Sequence, residues 1–392
     1  MKIKQMKLLD RYLGFIACKL FSLFTPRPSK TRPKIDKHKT KNILLMKFFG
    51  LGSILLLSPA VKAIKNGFPH SRLVFFTLSR NRELCRSLGI FDEVITLEVD
   101  KGWPAFCSSL LSSIFYLWKR RFDMTVDFEF FTRFSAVMTF LSFAPVRVGY
   151  HAWETWRGNT HNIQVPFNRY WHIMDNFYNL ATYIGLPKNG ELKIIRPEVS
   201  REDSEFVASL LKDNGASGDF ISVHFNASDL SIERRWPYEN FIKLINRLVE
   251  DYNLKIIFIG SKSESGSVGE IVRAIGGKSS AVLNFAGKLS ITQLARLFEL
   301  SKLVISNDSG PLHLAVAMET PTVSFFGPET PVIYGPLGKS HTVFFKNIDC
   351  SPCINVHDRK SVHCYWEKPR CMEAISVDEV YAAIADKLGA RE

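Results

Sequence analysis

The stretch Ser306-Asn307-Asp308-Ser309-Gly310-Pro311-Leu312-His313-Leu314-Ala315 decides how this chain is read. It follows an apolar run, Leu303 to Ile305, with the character of a buried parallel strand. A helical run, Leu312 to Met318, comes after it. Asp308 or Ser309 suits the cap of that helix, and Pro311 suits its first turn, where no amide proton is needed. Gly310 lets a ligand approach the backbone closely, and the amides of a helix start attract phosphate. His313 lies within the first turn and can reach the same ligand. Thr322 to Phe326 reads as the next strand, ending in a second tight loop, Gly327-Pro328-Glu329-Thr330. Two strand-end loops side by side predict a nucleotide crevice.

Working back from this stretch, strands and helices alternate. Phe220 to Phe225, Lys255 to Gly260 and Ala281 to Phe285 read as strands. Helices follow at Tyr238 to Asp251, Ser267 to Ile275 and Thr292 to Leu300. The first half repeats the plan, with strands at Asn42 to Lys47, Arg72 to Thr77, Glu93 to Leu97, Asp123 to Phe128 and Val146 to Tyr150. Such alternation predicts parallel, doubly wound sheets. Residues 151–190 are irregular, with helical spacing between His172 and Ile184. The expected organisation is an N-terminal segment 1–40, a Rossmann-like domain 41–190, a linker 191–218 and a second Rossmann-like domain 219–392.

The segments Asp308 to Ala315, Pro321 to Val323 and Phe326 to Thr330 together resemble the nucleotide-sugar signature of glycosyltransferase family 9, the heptosyltransferases. The resemblance implies an α/β GT-B architecture, two Rossmann-like domains facing a central cleft. It implies an inverting, metal-independent transfer of a sugar from a nucleotide donor, ADP-heptose by family analogy. The acceptor implied is a lipid-linked saccharide such as lipopolysaccharide core. The location implied is cytoplasmic, peripheral on the inner face of the bacterial inner membrane. A catalytically inactive nucleotide-sugar-binding protein and a nucleotide-sugar epimerase are the alternatives on the same architecture.

Individual residues take roles from their own chemistry and from the resemblance. Arg234, in Glu233-Arg234-Arg235-Trp236-Pro237, supplies fixed charge and bidentate donors suited to a diphosphate. It stands two before the Trp, where the family places a basic residue on the sugar nucleotide. A carboxylate at a strand end, such as Glu264, can accept ribose hydroxyls, and the resemblance assigns it to the nucleoside. Leu289 matches an apolar position near the base. Ser309, Gly310 and His313 are expected on the diphosphate, with Asp308 helping to position the sugar. In the first half the family's Gly-Asp loop reads Gly52-Ser53, and that Asp is the residue proposed to deprotonate the acceptor. A serine is not a general base unaided. Glu129, at the end of the fourth strand among Phe128, Phe130 and Phe131, is the expected replacement.

Of the chain's +13 net charge, residues 1–41 supply most, with twelve Lys or Arg against Asp10 and Asp36. The remainder is near neutral, which excludes a nucleic-acid-binding surface. Leu8, Leu9, Tyr12, Leu13, Phe15, Ile16, Leu20, Phe21, Leu23 and Phe24 crowd the same segment. Asp10, Arg11 and Lys19 interrupt it, so the expectation is a helix lying at an anionic membrane surface, not spanning it. The aromatic face of Gly102 to Trp118 also suits lipid. At the other end, Cys350, Cys353, Cys364 and Cys371, with His357 and His363 nearby, permit a structural zinc site, with an iron–sulfur site, disulfides or unligated thiols as the alternatives; catalysis itself needs no cofactor in this reading.

Overall fold

The computed structural model describes residues 3–25, 35–151, 155–188, 190–227, 231–275, 281–354 and 363–389. The chain divides into two compact units, one running to Ile195 and the other from Arg196.

The first unit begins with α1 (Ile3–Leu9), a π-helical turn at Asp10–Gly14 and α2 (Phe15–Ser22). Then come β1 (Asn42–Met46), α3 (Leu51–Gly67), β2 (Arg72–Leu78), α4 (Arg82–Ser87), β3 (Glu93–Leu97) and α5 (Trp103–Arg120). β4 (Met124–Asp127), α6 (Phe134–Leu141), β5 (Val146–His151), β6 (Ile163–Pro166) and α7 (Ile173–Tyr183) complete it. The sheet is wholly parallel in the order β3-β2-β1-β4-β5-β6. Ile43 to Met46 of the central strand are fully buried, as a parallel strand covered on both faces must be. Met46 stands opposite Phe76 on one side and Asp127 on the other. That register fixes the strand-end loops as neighbours. After β1, Gly50 takes the left-handed φ of 85°, and α3 starts at once.

The N-terminal segment is a helix packed on this unit. Asp10 Oδ1 accepts from the backbone amides of Arg133 and Phe134, both at 2.8 Å. It thereby caps α6, whose own N-cap residue, Arg133, makes no side-chain cap. Phe21 stacks on Phe140 at 4.1 Å, and Ser22 Oγ accepts from the Asn159 amide at 2.9 Å. Cys18 is buried, and burial pushes its thiol up to about 12. Of the basic stretch that follows, residues 26–34 lie outside the described residues.

The second unit opens with α8 (Arg201–Asp213), β7 (Phe220–His224), a 3-10 turn at Ile232–Arg234, α9 (Tyr238–Asp251) and β8 (Lys255–Phe258). A 3-10 turn at Lys262–Glu264 leads to α10 (Ser265–Ala274), β9 (Val282–Asn284), α11 (Ile291–Leu300), β10 (Leu303–Asn307), α12 (Gly310–Ala317) and β11 (Thr322–Phe326). α13 (Pro331–Tyr334), β12 (His341–Phe345), α14 (Arg370–Glu373) and α15 (Val377–Leu388) close it. The parallel order is β12-β11-β10-β7-β8-β9. The two sheets are the two Rossmann-like halves of a GT-B architecture.

α9 buries Phe241, Leu244, Ile245 and Leu248, the i, i+3, i+4, i+7 stripe of a surface helix. Beneath it Trp236 is fully buried, stacked on Phe325 at 4.5 Å, with Nε1 donating to the Ile375 carbonyl at 3.0 Å. Truncating such a ring to Ala costs about 3–5 kcal/mol. The same Trp236 holds the Arg234 loop over the sheet.

Two expectations change here, and one strand is added. The linker 191–218 contains α8, because Ser200 caps it from the Asp203 amide side and Val207 and Leu211 are buried. Its Asp203 accepts from Thr292 Oγ1 and Gln293 Nε2 of α11. The irregular region 151–190 carries β6, an edge strand of four residues. A further edge strand, β12, follows the signature stretch.

Candidate active site

Three strand ends of the second unit, β7, β8 and β10, place most of the predicted residues together. Arg234 Nη1 donates to Asp308 Oδ2 at 2.8 Å, with both side chains largely buried. The pair holds its geometry because Asn307, next in the chain, is locked. Its Oδ1 accepts from the Trp236 amide at 2.9 Å and its Nδ2 donates to the Phe225 carbonyl at 2.6 Å. The Asn307 side chain, bonded to backbone on either side, thus fixes both sides of the ion pair.

Ser309 is the N-cap residue of α12, yet its side chain makes no cap. Its hydroxyl instead meets His224 Nδ1 at 3.0 Å and Ser306 Oγ at 3.0 Å. Ser306 Oγ donates to the Asn307 carbonyl at 2.9 Å. The two hydroxyls and the His224 ring nitrogen form one hydrogen-bonded cluster at the end of β10. Nor does Asp308 cap α12, being held by Arg234. The first-turn amides of α12 therefore keep the anion-attracting character of an uncapped helix start. His313 lies one turn in and is buried.

His224 is the residue that sequence reading missed. Its Nε2 lies 3.7 Å from Glu264 Oε1. Glu264 Oε2 accepts from the Ser261 amide and hydroxyl, both at 2.7 Å, closing a capping box. Partial burial pushes Glu264 up, but hydrogen bonds from His224 and Ser261 outweigh it and hold the carboxyl at about 2. Glu264, His224 and Ser309 so form one polar chain across the ends of β8, β7 and β10. Leu289 sits half-buried between β9 and α11.

This chain makes a specific prediction. His224→Ala and Ser309→Ala should each weaken nucleotide-sugar use, and the double variant should cost less than the two losses added. Coupling of about 0.5–3 kcal/mol is expected for residues in one network. Strict additivity in kcat/KM would show that the two act separately.

In the first unit, Gly52 and Ser53 occupy the first turn of α3, Gly52 buried and Ser53 half-buried. Glu129 requires a correction. It is fully buried, and its Oε2 accepts from Lys47 Nζ at 2.8 Å. Its Oε1 accepts from the amides of Phe48 and Phe49, both at 2.9 Å. Lys47 is fully buried too, its ammonium 5.3 Å and 5.4 Å from the Phe130 and Phe131 ring centres. A carboxylate so enclosed does not meet an acceptor hydroxyl. It pins the start of the Phe48–Gly50 loop. Asp127, two residues back, is likewise internal, bonded to Arg157, His161 and Ser135. Burial pushes its carboxyl up, but the Arg157 charge and the His161 and Ser135 bonds bring it below its ordinary value.

The zinc expectation finds no support among the described residues. Among the described residues no group of three or more His, Cys, Asp or Glu is arranged to hold a metal ion. Cys350, Cys353, Cys364 and Cys371 are free thiols, the first two exposed and Cys371 buried. Burial, then the neighbouring Cys353 and Cys350, push the Cys371 thiol up to about 11. His357 lies outside the described residues, and His363 faces Glu233 at 3.8 Å. The segment instead braces the second strand-end loop. The amides of Cys353 and Ile354 donate to the Pro328 carbonyl, and Ser351 Oγ donates to that of Gly327 at 2.7 Å. A side chain at Gly327 would collide with Met372 and Cys371.

The model of glycosyltransferase family 9 (heptosyltransferase) matches residues 116–363. The lipopolysaccharide core heptosyltransferase OpsX of Haemophilus influenzae is 25% identical over 313 residues, 76% of this chain and 82% of that protein. Lipopolysaccharide heptosyltransferase 2 of Salmonella typhimurium is 24% identical over 209 residues, 52% of this chain but only 59% of that protein. Among solved structures, Escherichia coli ADP-heptose heptosyltransferase II superposes with a TM-score of 0.70 at 18% identity, covering 89% of this chain and 98% of that one. A family 9 glycosyltransferase of Veillonella parvula gives 0.73 at 20% identity, covering 91% and 99%. The likeness to these two structures extends through both units.

Proposed function

Because the chain belongs to glycosyltransferase family 9 (heptosyltransferase), we propose that this enzyme moves a heptose from ADP-heptose to a lipopolysaccharide core acceptor, inverting the anomeric carbon without a catalytic metal. The observation that carries the reading is the Arg234–Asp308 pair beside the uncapped start of α12. An acceptor hydroxyl attacks the anomeric carbon and releases its proton to solvent, the bond to the β-phosphate oxygen breaks, and ADP leaves with the electron pair. Arg234 and the first-turn amides of α12 meet the charge that grows on that oxygen, as preorganised donors do. Ser309 and His313 bind the diphosphate from the same helix end. Asp308 holds Arg234 and accepts a sugar hydroxyl. Glu264 and Leu289 position the nucleoside, one polar and one apolar contact. The acceptor being lipid-linked, the enzyme works peripherally at the cytoplasmic face of the inner membrane.

A thermal-shift panel of nucleotide sugars tests the donor. At about a hundred times the dissociation constant the true donor adds about 2.7 kcal/mol of stability. ADP-heptose should do so, undiminished by a chelator. Stabilisation by a uridine or guanosine nucleotide sugar in its place would move the assignment to another donor.

A further inference from the structure

We propose that the outer faces of the N-terminal helix and of α5, joined across the end of α6, form one surface that docks on an anionic lipid bilayer. The inference deepens the reading of a lipid-linked acceptor and rests on it. Along the N-terminal helix, Leu8, Tyr12, Ile16, Leu20, Leu23 and Phe24 are 52–77% exposed. Their spacing keeps to one side while Phe21, Cys18 and Ser22 hold the other side to the unit. α5 repeats the pattern. Trp103, Cys107, Leu111, Phe115 and Trp118 follow one another at intervals of three or four and are all exposed. Helix faces of this kind ordinarily turn inward.

A row of rings connects the two faces. Phe21 of α2 stacks on Phe140 of α6, Phe140 lies 6.3 Å from Phe143, and Phe143 lies 6.2 Å from Trp118 of α5. Trp118 Nε1 also donates to the Leu141 carbonyl at 2.8 Å. Phe143 takes the left-handed φ of 53° and is 65% exposed. That conformation is one an aromatic residue adopts at a cost.

Charge selects lipid as the occupant. Between Met1 and Ile35 there is one carboxylate, Asp10. It points inward as the cap of α6, so its charge is spent inside the unit. α5 contains no Asp or Glu, and Lys119, Arg120 and Arg121 stand together at its end. Arg120 is tied to Tyr116 and Glu93; Lys119 and Arg121 are exposed, as are Arg11 and Lys19 on the N-terminal helix. Two apolar helix faces that carry cations and no outward carboxylate of their own match acyl chains beneath phosphate headgroups. Among the described residues no helix is long and apolar enough to cross a membrane, so the surface lies on the bilayer.

The test is vesicle flotation with the full chain. Phosphatidylcholine vesicles with phosphatidylglycerol should capture it at least tenfold better than phosphatidylcholine alone. The double variant Leu111→Glu, Phe115→Glu leaves residues 1–24 untouched and alters two exposed side chains. It should lose at least tenfold in vesicle binding, with an unchanged thermal midpoint and unchanged heptose transfer to a detergent-dispersed acceptor. Should its midpoint fall, Leu20→Glu with Leu23→Glu provides the same test on α2. Vesicle binding equal to wild type in both variants would overturn the composite surface. So would equal capture by neutral vesicles, or a wild-type oligomer that the variants disperse. Vesicle binding as expected with no transfer from ADP-heptose would leave this surface standing and remove the proposed donor.

Discussion

Glu129→Gln should lower the stability of the first unit by about 3–5 kcal/mol, the cost of stripping one partner from a buried ion pair. For a unit of about 200 residues that is a fall in Tm of about 6–20 °C. The reason is Lys47. Its ammonium has no exposure and rests between Glu129 and the Phe130 and Phe131 rings. With Gln opposite, a charge stays in the interior with only an amide to meet it. Exchanging both partners, as Lys47→Met with Glu129→Gln, should recover most of the loss, since apolar replacement of a buried pair is often neutral. ADP-heptose affinity, read below the transition, should stay within about twofold, because the residues proposed to hold the donor belong to the second unit's strand ends. An unchanged Tm together with collapsed transfer would return Glu129 to the role of general base.

Arg234→Ala should cut kcat/KM for the donor by about ten- to 150-fold, the worth of one charged hydrogen bond, about 1.5–3 kcal/mol. Two effects act in the same direction. The diphosphate loses a cation, and Asp308, only 6% exposed, loses its 2.8 Å partner and presents an unneutralised carboxylate to an anionic ligand. Removing Asp308 as well should therefore restore part of the donor affinity. Arg234→Lys keeps the charge without the planar fork, and should fall between wild type and Ala. Initial-rate kinetics over a donor series check all three. Donor kinetics unaffected by Arg234→Ala would separate the Arg234 loop from the donor.

The fold was legible where local pattern suffices. Apolar runs such as Asn42 to Lys47 and Leu303 to Ile305 read as buried strands, and the α9 stripe marked its helix to the residue. What escaped was set by partners far along the chain. Asp10 looks like an interruption of an apolar helix; in the structure it caps α6, 123 residues away. Glu129 follows Asp127 at the spacing of two that puts side chains on one face, but alternation gives a face, not an environment. Its partner Lys47 lies 82 residues earlier. His224 ends an apolar run and has no local signal; only the sheet order, β10 beside β7 beside β8, sets it between Ser309 and Glu264. β6 and β12 are edge strands: β6 is four residues that end in a proline, and β12, though it carries Val343-Phe344-Phe345, is only half-buried and is followed by no helix within the described residues up to Ile354 that would mark it as one more step of the alternation. The cysteines show the opposite failing. Four in a short stretch suggested a metal, while the backbone around them is occupied in bracing Gly327 and Pro328.

The central claim is transfer of heptose by the site at the start of α12. Its most direct test is a single-turnover reaction of the enzyme with radiolabelled ADP-heptose and heptose-free lipopolysaccharide core, with the anomeric configuration of the product determined. The expected result is labelled acceptor of inverted configuration, formed at least tenfold more slowly by Arg234→Ala. Bound ADP-heptose with no labelled acceptor, or a product of retained configuration, would contradict it.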